Sequence, residues 1–195
     1  MKTSLNESLQ AIRLKTIHKT VLNNPYIPHK PTDKQFEFLF YSDILEGFYG
    51  GAAGGGKSDA LLMAALQFVG VHGYSALILR RTYSDLALPE ALMDRAEEWL
   101  AGTDARWHAD TKTWTFPAGA TLTFGYLDYE RSKYRYQGAA FQFIAFDEVT
   151  QFSESMYQYL FSRLRRLGTS CIPIRMRAAS NPGDLGHDWV KRRWI

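Results

Sequence analysis

A single cysteine, Cys171, stands in the whole sequence, which excludes a disulfide framework and a zinc site built from thiolates. No stretch reaches the ~18 apolar residues that a membrane span requires. The opening MKTSLNESLQAIRLK lacks the apolar centre of a secretory signal, so a reducing, intracellular setting is expected. Charge of one sign is also missing: 23 basic residues face 20 acidic ones, a net +3, so any nucleic-acid surface must be local. The five histidines, His18, His29, His72, His108 and His187, show no metal-ligand spacing and are expected on the surface or in turns. The N-K-x-D signature of guanine recognition is absent, which argues against a GTPase.

What is present suffices for one large domain or two small ones, since 46% of 195 residues are hydrophobic and 14% aromatic. Residues 1–34 carry six basic residues, two acids and the breakers NNPYIPHKP, and read as an N-terminal arm or short helix followed by a linker. Leu5, Leu9 and Ile12 fit one face of that helix. From Gln35 onward strand and helix alternate, giving an α/β domain over residues 35–195. Strands are expected at 44–50, 75–81, 141–148 and 173–183, and helices at 57–69, 88–100 and 153–167. The run 113–127 alternates with period two around Pro-Ala-Gly and predicts a β-hairpin.

Between the first strand and the first helix lies GGAAGGGKS. Gly51, Ala52, Ala53, Gly54, Gly55, Gly56, Lys57 and Ser58 satisfy the P-loop pattern G-x-x-x-x-G-K-S/T in the context it requires. Glycine at this density is costly in ordinary structure. Here it lets backbone N–H groups wrap phosphate at a helix N-terminus, with Asp59 in the first turn. Lys57 is expected on the β- and γ-phosphates of ATP, and Ser58 on Mg2+. FIAFDE ends a buried strand in Asp147, placed to hold the metal, and Glu148, placed to deprotonate an attacking water. Gln35, about 16 residues before the loop, is a candidate reader of adenine. Ser180 and Asn181, in AASNPG, stand where a polar side chain can register the γ-phosphate, although an ordinary Asn-Pro turn explains them equally well.

In this order and spacing, GGAAGGGKS, YQGAAFQFIAFDEVTQF and SNPGDLGHDWVKRRWI resemble the N-terminal ATPase domain of the large terminase subunit of tailed bacteriophages, over roughly residues 30–195. The resemblance implies a P-loop NTPase of the RecA-like, ASCE type, with a mostly parallel sheet flanked by helices and a β-hairpin insertion. It implies a motor that moves double-stranded viral DNA into a procapsid in the host cytoplasm, as a homo-oligomeric ring on the portal protein, with a small terminase subunit as partner, and a monomer when isolated. Lys57 and Ser58 become the phosphate and magnesium contacts, Asp147 the metal-side acid and Glu148 the base. Ser180, Asn181 and Pro182 become the coupling motif, and Gln35 the adenine reader. An arginine acting across the ring is expected from Arg80, Arg81, Arg131 or Arg135, and Arg135 is chosen. Family members continue into an RNase H-type nuclease domain. Its acidic cluster has no room here, so no nuclease activity is expected of these residues, and the basic KRRW is read as leading onward rather than touching DNA. A helicase-like or RecA-like nucleic-acid-dependent ATPase, and a nucleotide-binding scaffold without turnover, remain as alternatives.

Overall fold

The computed structural model describes residues 2–52, 54–168 and 171–195. Helix α1 (Lys2–Ile17) runs through a wider turn, His18–Leu22, to helix α2 (Asp33–Phe40) and strand β1 (Glu46–Gly50). Helix α3 (Lys57–Leu66), β2 (Ser75–Arg80), α4 (Tyr83–Ala87) and α5 (Leu92–Leu100) follow, then β3 (Arg106–His108), β4 (Thr113–Thr115) and β5 (Thr121–Tyr126). A 3-10 helix, Glu130–Tyr136, leads to β6 (Phe143–Asp147), α6 (Glu154–Phe161), β7 (Arg175–Ser180) and α7 (His187–Trp194). The strands form one sheet in the order β1-β7-β6-β2-β5-β4-β3. The first five in that order are parallel, while β4 and β3 continue the sheet antiparallel as the expected hairpin plus one short strand.

The apolar runs that predicted buried strands are explained by two cores, one on each face. Along β2, Ala76 and Ile78 enter one core while Leu77 and Leu79 enter the other; along β6, Phe143 and Ala145 oppose Ile144 and Phe146. Period two is therefore preserved in space even where it is invisible in hydropathy. Helix α3 is covered on every side, with Ala60 through Leu66 all buried, which accounts for a helix with no polar face. At its C-terminal end the fully buried Arg175 of β7 donates to Ala64 O (3.0 Å) and to the Gln67 side chain, and lies over the rings of Phe68 and Phe143. Burial lowers the pKa of Arg175, and the negative end of the helix dipole favours its charge.

Several elements differ from expectation for local reasons. The helix expected at 88–100 is replaced by the shorter α5, because Leu88 precedes Pro89 and is extended; α4 before it is capped by a Thr82–Asp85 box. The helix expected to reach residue 167 stops at Phe161, since Phe141 N–H donates to Arg163 O and Arg165 N–H to Phe141 O. Helices α2 and α7 and strand β3 have no counterpart in the sequence expectation. In the arm, Leu9 and Ile12 are exposed, and the Leu5 side chain lies outside the described ones. The arm is anchored further along by Ile17 and Val21 in the core and by Arg13, whose guanidinium pairs with Asp43 at 2.7 Å. No helix among the described residues is long and apolar enough to cross a membrane.

Candidate nucleotide site

Parallel strands β1, β6 and β7 end side by side, at Gly50, Asp147 and Ser180, and the loops leaving them meet outside the sheet's carboxyl edge. The loop between Gly51 and Gly56 turns into α3 through Gly56, whose φ of 69° is left-handed. The backbone therefore favours glycine, and a Cβ there would also stand 2.5 Å from Gln35 Nε2 and displace that amide. Ala53 lies outside the described residues. The remaining loop glycines Gly54, Gly55 and Gly56, with Lys57, Ser58, Asp59, Arg95, Glu148 and Asn181, line a cavity of about 340 Å3.

Lys57 is buried, and its ammonium donates to Gly51 O (3.2 Å), Ala52 O (2.8 Å) and Asn181 Oδ1 (2.9 Å). The same Asn181 donates through Nδ2 to Glu148 Oε1 (3.2 Å), while Asn181 N–H and the Ser180 hydroxyl donate to Glu148 Oε2 at 3.2 and 3.0 Å. Because Ser180 spends its one proton on Glu148, Thr150 donates to Ser180 Oγ, at 2.6 Å. Polarity fixes the Asn181 amide, for Lys57 can only donate and an ionised Glu148 only accept. Glu148 itself is left-handed at φ 52°, a conformation that costs a side-chain-bearing residue about 1–2 kcal/mol and is sustained by these three donors.

Asp147 is buried at the end of β6. Ser58 Oγ lies 3.5 Å from its Oδ2, and Arg80 Nη1, at the end of β2, lies 3.1 Å from the same oxygen. Burial pushes the Asp147 carboxyl up to about 6; Arg80 pulls against this, the neighbouring Glu148 adds to it, and Lys57 opposes it. Its Oδ1 is buried without a partner. An orphaned carboxylate oxygen beside a serine hydroxyl is a set of hard oxygen donors suited to Mg2+.

The structure thus brings together Gly51, Ala52, Gly54, Gly55, Gly56, Lys57, Ser58, Asp147, Glu148, Ser180 and Asn181. Pro182 lines an adjoining cavity with Ala52, Thr150 and Asn181. Asp59 faces Arg95, at 2.6 Å. Gln35, the candidate adenine reader, accepts at Oε1 from Thr32 N–H in the α2 capping box and donates from Nε2 to Gly56 O at 2.8 Å, so both ends of the amide brace the loop. Arg135 is half exposed, pairs with Asp128 at 3.3 Å, lies over Tyr126, and is not among the residues lining the cavity. Sequence reasoning missed Thr150 and Arg95. Arg95 carried no signal beyond a basic residue on an amphipathic helix, and only the packing of α5 beside α3 brings it to the loop.

The HK97 bacteriophage large terminase shares this fold, with 13% identity, a TM-score of 0.61, and coverage of 85% of this chain and 37% of that one. A large terminase from a thermophilic bacteriophage, solved in complex with ADP, is 18% identical with a TM-score of 0.56, over 78% of this chain and 39% of that one. The N-terminal domain of the bacteriophage phi29 DNA packaging ATPase gives 19% identity and a TM-score of 0.52, over 74% of this chain and 76% of that one. The chain spans about two fifths of the length of the whole large terminases it matches. No curated protein is detectably similar in sequence. Residues 48–189, most of the sheet and the site with it, match the family described as the large terminase subunit of T4-like-virus type, N-terminal part, and the chain belongs to that family.

Proposed function

We propose that the chain is the ATP-hydrolysing domain of a DNA-packaging motor, coupling each hydrolysis to a step of double-stranded viral DNA into the procapsid. The observation that carries this is the unbroken hydrogen-bonded line from Lys57 through Asn181 to Glu148, which joins the group that meets phosphate to the group that activates water. Gly51 O, Ala52 O and Asn181 Oδ1 hold the Lys57 ammonium where the triphosphate oxygens of ATP would take their place. Glu148 accepts the proton of a water as its oxygen attacks the γ-phosphorus, and Ser180 and Asn181 set the direction of its carboxylate. Ser58 and Asp147 would hold Mg2+, which when bound neutralises charge on the β- and γ-oxygens. Since Asn181 touches both ends, the state of the phosphate reaches β7 and the Ser180–Pro182 segment, the coupling element of the motor.

On this reading the working assembly is a ring on the portal protein, fed by a small terminase subunit in the host cytoplasm, with Arg135 reaching a neighbour's site. The decisive experiment is ATP turnover, with and without double-stranded DNA, of the wild type and Glu148→Gln. Binding without turnover is expected of the variant. Hydrolysis at the parent rate would sink the assignment.

A further inference from the structure

Asp59 presents a puzzle at the mouth of the site. Its carboxylate sits in the first turn of α3, where the helix dipole welcomes an acid, yet the same place is where nucleotide phosphates are expected, and phosphate repels it. The structure answers the charge with Arg95 of α5, whose Nη1 lies 2.6 Å from Asp59 Oδ1, while His29 Nε2 stands 3.9 Å from Oδ2. That contact uses little of the guanidinium. Arg95 Nε is buried with no partner, a costly condition for a cationic donor, and the side chain lines the same cavity as Lys57, Ser58 and Glu148. Helix α5 is a firm base for it, with Leu92, Ala96, Trp99 and Leu100 all buried.

We infer that Arg95 is a phosphate ligand supplied by the chain's own helix, held ready by Asp59 and completed when a nucleoside diphosphate or triphosphate enters. A planar guanidinium with donors to spare, fixed beside a phosphate loop, matches phosphate oxygens better than a flexible ammonium would. Lys57 is expected on the β- and γ-phosphates and Ser58 on Mg2+, which leaves to Arg95 the oxygens toward the nucleoside, which ADP and ATP share. The inference rests on the nucleotide-site reading above.

The test is calorimetric binding of ADP and of ATP-γ-S to the full chain carrying Arg95→Ala, Asp59→Asn, both, or Lys57→Ala. Arg95→Ala should weaken both nucleotides at least about tenfold, the size of one charge-assisted hydrogen bond. The double variant should stay about tenfold weaker than Asp59→Asn alone. If the double variant binds as well as Asp59→Asn, Arg95 only cancels Asp59 and the inference is overturned; loss confined to ATP-γ-S overturns it too. Lys57→Ala separates this failure from a wrong site: lost binding there with wild-type affinity in Arg95→Ala condemns the arginine alone, whereas unchanged affinity in both condemns the site. Should Arg95→Ala fail to fold, Arg95→Gln, which keeps length and helix propensity, gives the same reading.

Discussion

Glu148→Gln removes the carboxylate proposed as the base, but the hydrogen-bond polarity around it makes the substitution a structural change as well. Glu148 offers acceptors on both oxygens, to Asn181 Nδ2 on one side and to Ser180 Oγ and Asn181 N–H on the other. A glutamine supplies one oxygen and one NH2. With its oxygen toward Ser180, its NH2 meets the Asn181 NH2; turning the Asn181 amide would then set an NH2 against the Lys57 ammonium, 2.9 Å away. One donor-to-donor contact survives in every arrangement, at a cost of about 1–3 kcal/mol. For a domain of this size that lowers Tm by roughly 2–12 °C, at about 2–4 °C per kcal/mol. Adding Asn181→Asp restores complementarity, because aspartate accepts from both the introduced glutamine and Lys57 while its backbone N–H still serves the glutamine oxygen. Thermal unfolding should therefore show a loss in Glu148→Gln and recovery in the double variant, and ATP turnover should stay lost in both by about 10²–10⁴-fold. An unchanged Tm in the single variant, or no recovery in the double, would refute the polarity assigned to this network.

Gly56→Ala adds a Cβ 2.5 Å from Gln35 Nε2 at a left-handed residue, and should lose nucleotide affinity and about 1–2 kcal/mol of stability; calorimetry and denaturant unfolding check both, and wild-type affinity would show that the loop tolerates displacement. Glu130 accepts from Lys133 and Ser153, which bring its pKa down to about 2. A depressed carboxylate contributes stability above its unfolded pKa of ~4.5 that is lost as pH falls through about 2, so the Tm difference between wild type and Glu130→Gln should vanish across that window. Half exposure keeps the difference under about 1 kcal/mol. For Arg135, mixed rings of Arg135→Ala and Glu148→Gln should regain ATPase activity, since one partner donates an intact site and the other the arginine; no recovery in rings shown to be mixed removes Arg135 as the residue acting in trans.

How much was legible follows from how local each interaction is. The glycine-rich loop could be read because its demands are met within one turn of chain: glycine where φ is positive, then Lys57 and Ser58 on the first turn of a helix. Strands β2 and β6 were found from apolar runs and β7 from its stretch ending in the SNPG turn, and the carboxyl ends of β6 and β7 carried Asp147 and Ser180 with them. Helix α2 is announced by Thr32 and Gln35 three apart, a capping box, a signal that only two residues carry. Helix α7 has few apolar residues to mark it and is held from outside: Arg193 pairs with Glu46 of β1, Trp189 donates to Phe152 O, and Trp194 stacks on Phe48.

The same distinction governs the site. Lys57, Ser58, Asp147 and Glu148 each belong to a short pattern with its own chemical logic, so a sequence reader meets them one at a time. What joins them is long-range: Asn181 lies 124 positions from Lys57 and 33 from Glu148, and Arg95 lies 36 from Asp59. No spacing rule connects such residues. They are neighbours because β7 is inserted between β1 and β6, and because α5 packs beside α3. Strand order thus decides that Lys57 and Glu148 share one amide, that of Asn181. A change that left every motif intact but drew β7 away from β6 would be expected to separate nucleotide binding from hydrolysis.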